Sequence, residues 1–175
     1  MKAFYFIIFF LLAHSASKGQ IIKLSCTEKE RKSEDGNDPI IIETCLLKNF
    51  KFISTSYPDY AGRYVYSEHE VYIRTNNKYI KTTNAQVFNK RQDKLVAIIN
   101  NRIQQDFREF SSDSNTKECF TDIDSIPEYK MNDFEISFYG NEIWFEIHWG
   151  LISACRSVDG TIVSFKLSEI EKYLN

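Results

Sequence analysis

Residues 134–149 read Phe-Glu-Ile-Ser-Phe-Tyr-Gly-Asn-Glu-Ile-Trp-Phe-Glu-Ile-His-Trp, and this stretch decides the fold. Apolar and polar residues alternate on both sides of Gly140-Asn141, the pattern of two strands joined by a two-residue turn. That register brings three apolar pairs to one face of the hairpin: Phe138 with Ile143, Ile136 with Phe145, and Phe134 with Ile147. Because register and pattern agree, we predict an antiparallel hairpin with one buried face.

A long amphipathic helix is predicted upstream of this hairpin, over residues 87–110. Its apolar residues recur at steps of three, four or seven, and therefore share one helix face. They are Phe88, Leu95, Ile99, Ile103, Phe107 and Phe110. The helix is predicted to start at one of two pairs with capping-box spacing, Thr83 with Gln86 or Asn89 with Gln92.

The rest of the chain is predicted to consist mostly of strands. Segments with strand-like composition are residues 20–52 (two strands around a polar loop), 64–66, 70–74, 78–82 and 161–167. Ser168 begins a short terminal helix that ends at Leu174. This order predicts the α+β class, with an antiparallel sheet, one long amphipathic helix packed on one face and a short C-terminal helix.

The first 19 residues are predicted to be a secretory signal peptide. Lys2 precedes an apolar run of ten residues, Phe4–Ala13, and small or polar residues follow up to Gly19. A membrane-spanning helix needs ~20 apolar residues, so a permanent N-terminal anchor is the less favoured alternative. Residues 20–175 then form a single mature domain, secreted or periplasmic, with no permanent membrane span.

The mature chain is mildly acidic. The leader removes Lys2 and Lys18 from the 22 basic residues, whereas all 24 acidic residues remain, so the net charge is near −4. The remaining basic residues are scattered and form no cluster of the kind that neutralises phosphates. We therefore expect no nucleic-acid partner.

All four cysteines lie in the mature chain, which favours disulfides formed in an oxidising compartment. If the two strands of residues 20–52 form a hairpin, Cys26 lies opposite Cys45, near enough for a disulfide after local adjustment. Cys119 then pairs with Cys155 by elimination. The other pairings and a zinc site remain alternatives, although no two cysteines have the close spacing of zinc ligands.

Acidic residues and a histidine gather on the polar face of the predicted hairpin. In its register Asp133 faces His148, and Glu135 faces Glu146. Such a set could hold a divalent cation, but we favour a solvated sheet face with a weak Asp133–His148 pair. His69 shares a strand face with apolar residues and is predicted to be partly packed rather than a ligand.

The sequence carries none of the common catalytic motifs. It lacks a Gly-x-Ser-x-Gly elbow, a His-Glu-x-x-His helix and a phosphate-binding glycine loop. We therefore predict no catalytic or metal-binding residues and no cofactor, and we expect a protein that is not an enzyme.

Aromatic loops are the candidate binding surfaces. Tyr57, Tyr60 and Tyr64 cluster around a turn-rich loop, and Trp149 and Arg156 lie in the connection after the predicted hairpin. Loops on a sheet scaffold often carry function, and these residue types are frequent interface anchors. The alternative is that these rings fill the core.

Two parts of the chain resemble a known family. Residues 93–107 (Asp-Lys-Leu-Val-Ala-Ile-Ile-Asn-Asn-Arg-Ile-Gln-Gln-Asp-Phe) look like its central helix. Residues 134–147 and 160–174, which end in Leu-Ser-Glu-Ile-Glu-Lys-Tyr-Leu, look like its closing hairpin, strand and short helix. The family is the extracytoplasmic domain of the RsiV type, found in the lysozyme-sensing anti-sigma factor and beside polysaccharide deacetylase domains of bacterial cell-wall enzymes. The stretch after the hairpin is tyrosine-rich in the family but reads Trp-Gly-Leu-Ile-Ser-Ala-Cys here, so no individual binding residue is carried over.

The resemblance implies an α+β fold in a bacterial envelope and a role in binding. We therefore expect an exported domain that binds a protein or a peptidoglycan-related ligand, with a lysozyme-type muramidase as the first partner to test. The alternative is an envelope carbohydrate hydrolase that uses paired carboxylates such as Glu135 and Glu146. A purely structural envelope protein is the third hypothesis.

Overall fold

Two antiparallel sheets and one long helix make up the computed structural model, which describes residues 22–33, 38–58 and 64–175. The predicted signal peptide, residues 1–19, lies outside this described part. The α+β class is confirmed, as are the long helix and the short C-terminal helix. The strands divide between a five-stranded and a three-stranded sheet.

The five-stranded sheet is a meander in which each strand pairs with the next one along the chain. Its strands are β1 (Leu24–Arg31), β2 (Ile40–Leu47), β3 (Phe50–Pro58), β4 (Tyr64–Thr75) and β5 (Lys78–Thr82). Asn76 and Asn77 join β4 to β5 with φ angles of 48° and 62°. Both lie in the left-handed region that tight hairpin turns require, and asparagine tolerates this region better than most residues.

The three-stranded sheet contains the hairpin from which the fold was predicted. Its strands are β6 (Glu135–Tyr139), β7 (Glu142–Ile147) and β8 (Thr161–Lys166), in that spatial order. The predicted register is confirmed, because Ile136 pairs with Phe145 and Phe138 pairs with Ile143. The ladder begins at Glu135, so Phe134 precedes it, but Phe134 and Ile147 are both buried as the pattern requires.

The long helix, α2 (Gln92–Ser112), buries the predicted face. Leu95, Ile99, Ile103 and Phe107 are each at most 6% exposed. The helix begins later than residue 87, because Val87 ends a separate short helix, α1 (Asn84–Val87). The Asn89 side chain explains this interruption, since it accepts a bond from the Arg91 N–H and donates to the Lys172 carbonyl. Such side-chain bonds to the backbone compete with helical hydrogen bonding.

The C-terminal helix, α3 (Leu167–Ile170), continues as a 3₁₀ turn over Glu171–Tyr173. The Glu169 carboxylate caps it by accepting the Lys166 N–H at 2.8 Å. This cap lies two residues before the predicted one at Ser168. The reason is that Leu167 is 1% exposed and is drawn into the core as the first helical residue.

One continuous core joins both sheets and the helices. Phe145 of β7 is fully buried, and its ring meets the rings of Phe88, Phe134 and Phe165 at centroid distances of 5.9 to 6.0 Å. Between the two sheets, Phe52 of β3 packs edge-on against Phe138 of β6 at 4.9 Å. The sheets therefore share apolar packing but no ladder of hydrogen bonds.

Both proposed disulfides are present. Cys26 lies directly opposite Cys45 in the β1–β2 ladder and is bonded to it, and Cys119 is bonded to Cys155. Two disulfides fit a protein that folds in an oxidising, extracytosolic environment. No helix in the described ranges combines the length and the apolar character that a membrane crossing needs.

Candidate functional site

A cleft of about 420 Å³ lies where the two sheets meet. The five-stranded sheet contributes residues of β4 and β5, and the other side is formed by the 3₁₀ turn Met131–Asp133 and the start of β6. This volume falls within the ~300–1,000 Å³ range of small-molecule sites. We call this space the inter-sheet cleft.

His69 and Glu135 meet in the inter-sheet cleft. His69 lies on the face of β4 that also carries Val71, and its side chain is 18% exposed, so the predicted partial packing is confirmed. Its Nε2 lies 3.1 Å from Oε2 of Glu135, the first residue of β6. This contact is an ion pair when the imidazole is protonated and a hydrogen bond when it is neutral.

Two asparagines fix one rim of the cleft. The Asn84 side chain donates to the Phe134 carbonyl at 2.7 Å, and the Ala85 N–H donates to the Asn132 side chain at 2.9 Å. These bonds hold the start of α1 against the chain that enters β6. The two bonds satisfy backbone groups at this rim, where no sheet ladder is present among the described residues.

Two buried polar atoms in the cleft have no hydrogen-bond partner among the described residues, Nδ1 of His69 and Oγ1 of Thr82. With Nε2–H directed at Glu135, a neutral His69 presents Nδ1 as an acceptor. The Thr82 hydroxyl can donate or accept. Buried polar groups are usually paired, so these two atoms are exceptions among the residues that line the cleft.

Two carboxylates of the cleft, those of Glu70 and Glu135, have lowered pKa values. The hydrogen bond from His69 lowers the pKa of Glu135 and outweighs its burial, with the nearby His69 and His148 charges acting in the same direction. Hydrogen bonds from Lys81, at 2.6 Å, and from the Tyr72 hydroxyl lower the pKa of Glu70. Neither carboxyl has the raised pKa that a general acid needs at neutral pH.

A third carboxyl, that of Glu43, has the opposite shift. Glu43, Ser54 and His69 are consecutive partners across β2, β3 and β4. Burial raises the pKa of Glu43, and the charge of Glu28 on β1 adds to the rise. These ladder partners form a row of polar residues that leads across the sheet to the cleft. The Glu43 carboxyl in this row has a raised pKa and is therefore harder to ionise than an ordinary carboxyl.

Glu135→Gln should alter the pH dependence of stability. Because the folded pKa of Glu135 is lowered from 4.5, its contribution is present above that value and is lost as the pH falls through the folded pKa. The variant should be less stable than the parent at pH 6, by at most about 1 kcal/mol since the site is partly solvated. The difference should vanish on acidification.

Urea unfolding at pH 3 to 7 checks this prediction. Glu118→Gln, at an exposed position outside the cleft, is the matched control and should follow the parent curve. A constant difference between Glu135→Gln and the parent across this range would contradict the proposed pairing of His69 with Glu135.

The other polar residues of the hairpin are arranged differently from the prediction. Glu135 does face Glu146 in the ladder. The predicted Asp133–His148 pair is wrong, because Asp133 lies in the 3₁₀ turn before β6 and accepts the Lys130 N–H at 2.7 Å. His148 follows β7 and instead contacts the Asp159 carbonyl at 3.0 Å through Nδ1.

Trp149 and Arg156 are not among the residues that line the cleft. Trp149 packs edge-on against three phenylalanine rings at 5.3 to 5.9 Å, those of Phe107, Phe110 and Phe120. Most of its ring is therefore used in core packing, as the alternative interpretation held. Arg156 is exposed in a 3₁₀ turn over Ser153–Val158.

The tyrosine cluster is only partly described. Tyr57 is half-buried at the end of β3, and its hydroxyl donates to Glu68 at 3.2 Å. Tyr64 is the first residue of β4, and Tyr60 lies outside the described residues. Binding through these residues stays a prediction.

The chain matches no family model, no curated protein and no solved structure.

Proposed function

We propose that this chain is an exported bacterial binding domain, secreted or periplasmic, that recognises a protein or a cell-wall ligand and performs no reaction on it. The observation that carries the proposal is the inter-sheet cleft, a concave site with unpaired hydrogen-bonding atoms and with carboxylates already paired to His69 and Lys81. The predicted leader and the two disulfides support the extracytoplasmic location.

The atoms of the cleft favour a ligand that donates hydrogen bonds. His69 Nδ1, in the neutral imidazole, and the carboxylates of Glu70 and Glu135 are acceptors, and the Thr82 hydroxyl can accept as well. Hydroxyl and amide groups of a cell-wall glycan supply such donors without adding negative charge. This match supports the cell-wall version of the proposal.

The RsiV-type resemblance supports the protein version. The likeness lies in the central helix and in the closing hairpin, strand and helix, and it implies that a lysozyme-type muramidase is the first protein to test. Both versions make the chain a recognition module, and they differ in the molecule recognised.

A hydrolase is the alternative function, and the pairing of two glutamates in the ladder favours it. Glu135 and Glu146 face each other across β6 and β7, as paired carboxylates would. The lowered pKa of Glu135 argues against a role as the general acid, because the general acid of a glycosidase has a raised pKa. The binding function is therefore better supported.

Calorimetric titration of the exported chain tests the proposal, with soluble peptidoglycan fragments in one arm and lysozyme in the other. We expect a complex at micromolar concentrations in at least one arm, with no glycan cleavage by this chain and with reduced muramidase activity if lysozyme is the partner. Failure to bind in both arms would contradict the proposal. Cleavage of the glycan by this chain would support the hydrolase function instead.

The variant Thr82→Val tests whether the glycan ligand binds in the inter-sheet cleft. Loss of one hydrogen bond should weaken binding of the glycan fragments by about tenfold. Because the hydroxyl has no partner within the described chain, the variant should be no less stable than the parent. Thr27→Val, at an exposed position on the edge strand β1, is the matched control and should bind normally. Equal glycan affinities for the two variants would exclude the cleft as the glycan site.

A further inference from the structure

The outward face of the three-stranded sheet carries two aromatic rings that are not part of the core. Tyr139 is 70% exposed at the end of β6, and Trp144 lies on the neighbouring strand β7. Their ring centroids are 5.3 Å apart and their planes are inclined by 33°. The inward positions of the same strands, such as Ile143 and Phe145, are fully buried, so the two faces have clearly different roles.

Trp144 is half-buried, and short side chains flank it on both neighbouring strands. In the ladder its two direct neighbours are Ser137 on β6 and Ser164 on β8. The indole N–H donates to the Glu142 carboxylate at 3.3 Å, which holds that carboxylate beside the ring. We call this surface, made by Ser137, Tyr139, Glu142, Trp144, Glu146 and Ser164, the Trp144 face.

The Trp144 face is negatively charged. Glu142 and Glu146 lie two positions before and after Trp144 along β7, and Glu135 is the direct partner of Glu146. Lys166, opposite Glu142, is the cationic side chain in these paired rows, and the nearby His148 contacts Glu146 at 3.7 Å. Carboxylates therefore outnumber fixed cations around the half-buried Trp144 indole and the exposed Tyr139 phenol.

Such a surface is complementary to a cation. A guanidinium or ammonium group is attracted to the face of tryptophan or tyrosine, and carboxylates beside the ring supply charge-assisted hydrogen bonds. Residues two apart on a strand are separated by ~7 Å, so one arginine over Trp144 can reach Glu142 or Glu146. An acidic lipid surface or a nucleic acid would be repelled.

We propose that the Trp144 face binds an arginine- or lysine-bearing segment of a protein partner. This surface is separate from the unpaired atoms of the inter-sheet cleft, and the proposal holds whether or not a glycan fills the cleft. Aromatic stacking supplies the contact, and the carboxylates select positive charge over a neutral side chain of equal shape.

Fluorescence titration of the exported chain with a capped Arg-Gly-Arg peptide tests the proposal. The chain has two tryptophans, and Trp149 is enclosed by phenylalanine rings, so the signal should come from Trp144. We expect the arginine peptide to bind at least tenfold more tightly than its neutral citrulline counterpart, and we expect this preference to shrink as salt is added.

Two variants separate the contributions of ring and charge, and nuclear magnetic resonance replaces fluorescence where the tryptophan is removed. Trp144→Ala should weaken binding about tenfold, and Glu142→Gln with Glu146→Gln should abolish the preference over citrulline while leaving the rings and the fold in place. Tyr79→Ala, at an exposed aromatic position on the other sheet, is the control that should bind normally. Equal affinity for both peptides, or an unchanged affinity in the double glutamine variant, would overturn the proposal.

Discussion

Ile99→Ala should lower the free energy of unfolding by about 2–5 kcal/mol, whereas Ile98→Ala should cost less than about 1 kcal/mol. The two residues are neighbours in α2, but Ile99 is fully buried and Ile98 is 39% exposed. Truncation at residue 99 removes apolar contacts and leaves a cavity, while residue 98 loses only partly exposed surface. Alanine is also the better helix former, which offsets part of the loss at residue 98.

Urea unfolding followed by circular dichroism measures both variants under one condition. Because the same side chain is truncated in the same helix, the difference between the variants reports only the face on which each residue lies. Equal losses, or a larger loss at Ile98, would mean that α2 packs on the sheets through another face.

Removing the Cys119–Cys155 disulfide should have the second largest effect. The bond joins the 3₁₀ turn Lys117–Phe120 to the 3₁₀ turn Ser153–Val158, and the two cysteines have a sequence separation of 36. Closing a loop of this length restricts the unfolded chain by about 3–4 kcal/mol. The double variant Cys119→Ser with Cys155→Ser should lose about that much stability.

The Cys26–Cys45 pair offers a comparison within the same chain. It closes a shorter loop, with a separation of 19 residues, and it joins two residues that already face each other in a ladder. Its replacement by serines should therefore cost somewhat less, at about 3 kcal/mol. Reduction of the parent protein should cost at least as much as the Cys119–Cys155 change alone, and a loss below 1 kcal/mol for that change would contradict the proposed role of the bond.

Several features of the fold could be predicted from sequence because they depend on local patterns. Alternation around Gly140-Asn141 fixed the β6–β7 register, and the helical period of leucine, isoleucine and phenylalanine identified the buried face of α2. Register also predicted the Cys26–Cys45 bond. In each case the partners belong to one element or to adjacent strands.

The candidate site could not be predicted in this way. His69 and Glu135 come from different sheets with both helices α1 and α2 between them in sequence, so no periodic pattern relates them. The division into two sheets is equally hidden, because alternation shows which face of a strand is buried but does not show that the consecutive strands β5 and β6 belong to different sheets. Trp149 illustrates a related problem, since its role depends on rings from α2 and from Phe120.

Glu135 connects the two surfaces described above. Its carboxylate is bonded to His69 in the inter-sheet cleft, and in the ladder it is the direct neighbour of Glu146 on the Trp144 face. Occupation of one surface can therefore change the electrostatic environment of the other.

The central claim is that the inter-sheet cleft is the ligand site, and chemical-shift mapping with soluble peptidoglycan fragments tests it most directly. We expect the largest changes at the His69 ring and at the backbone amides of Thr82, Asn84 and Glu135. A groove of about 350 Å³ beside Asn100 and Tyr129 provides an internal comparison. Changes confined to that groove would contradict the account, and an unchanged spectrum at saturating fragments would remove its glycan version.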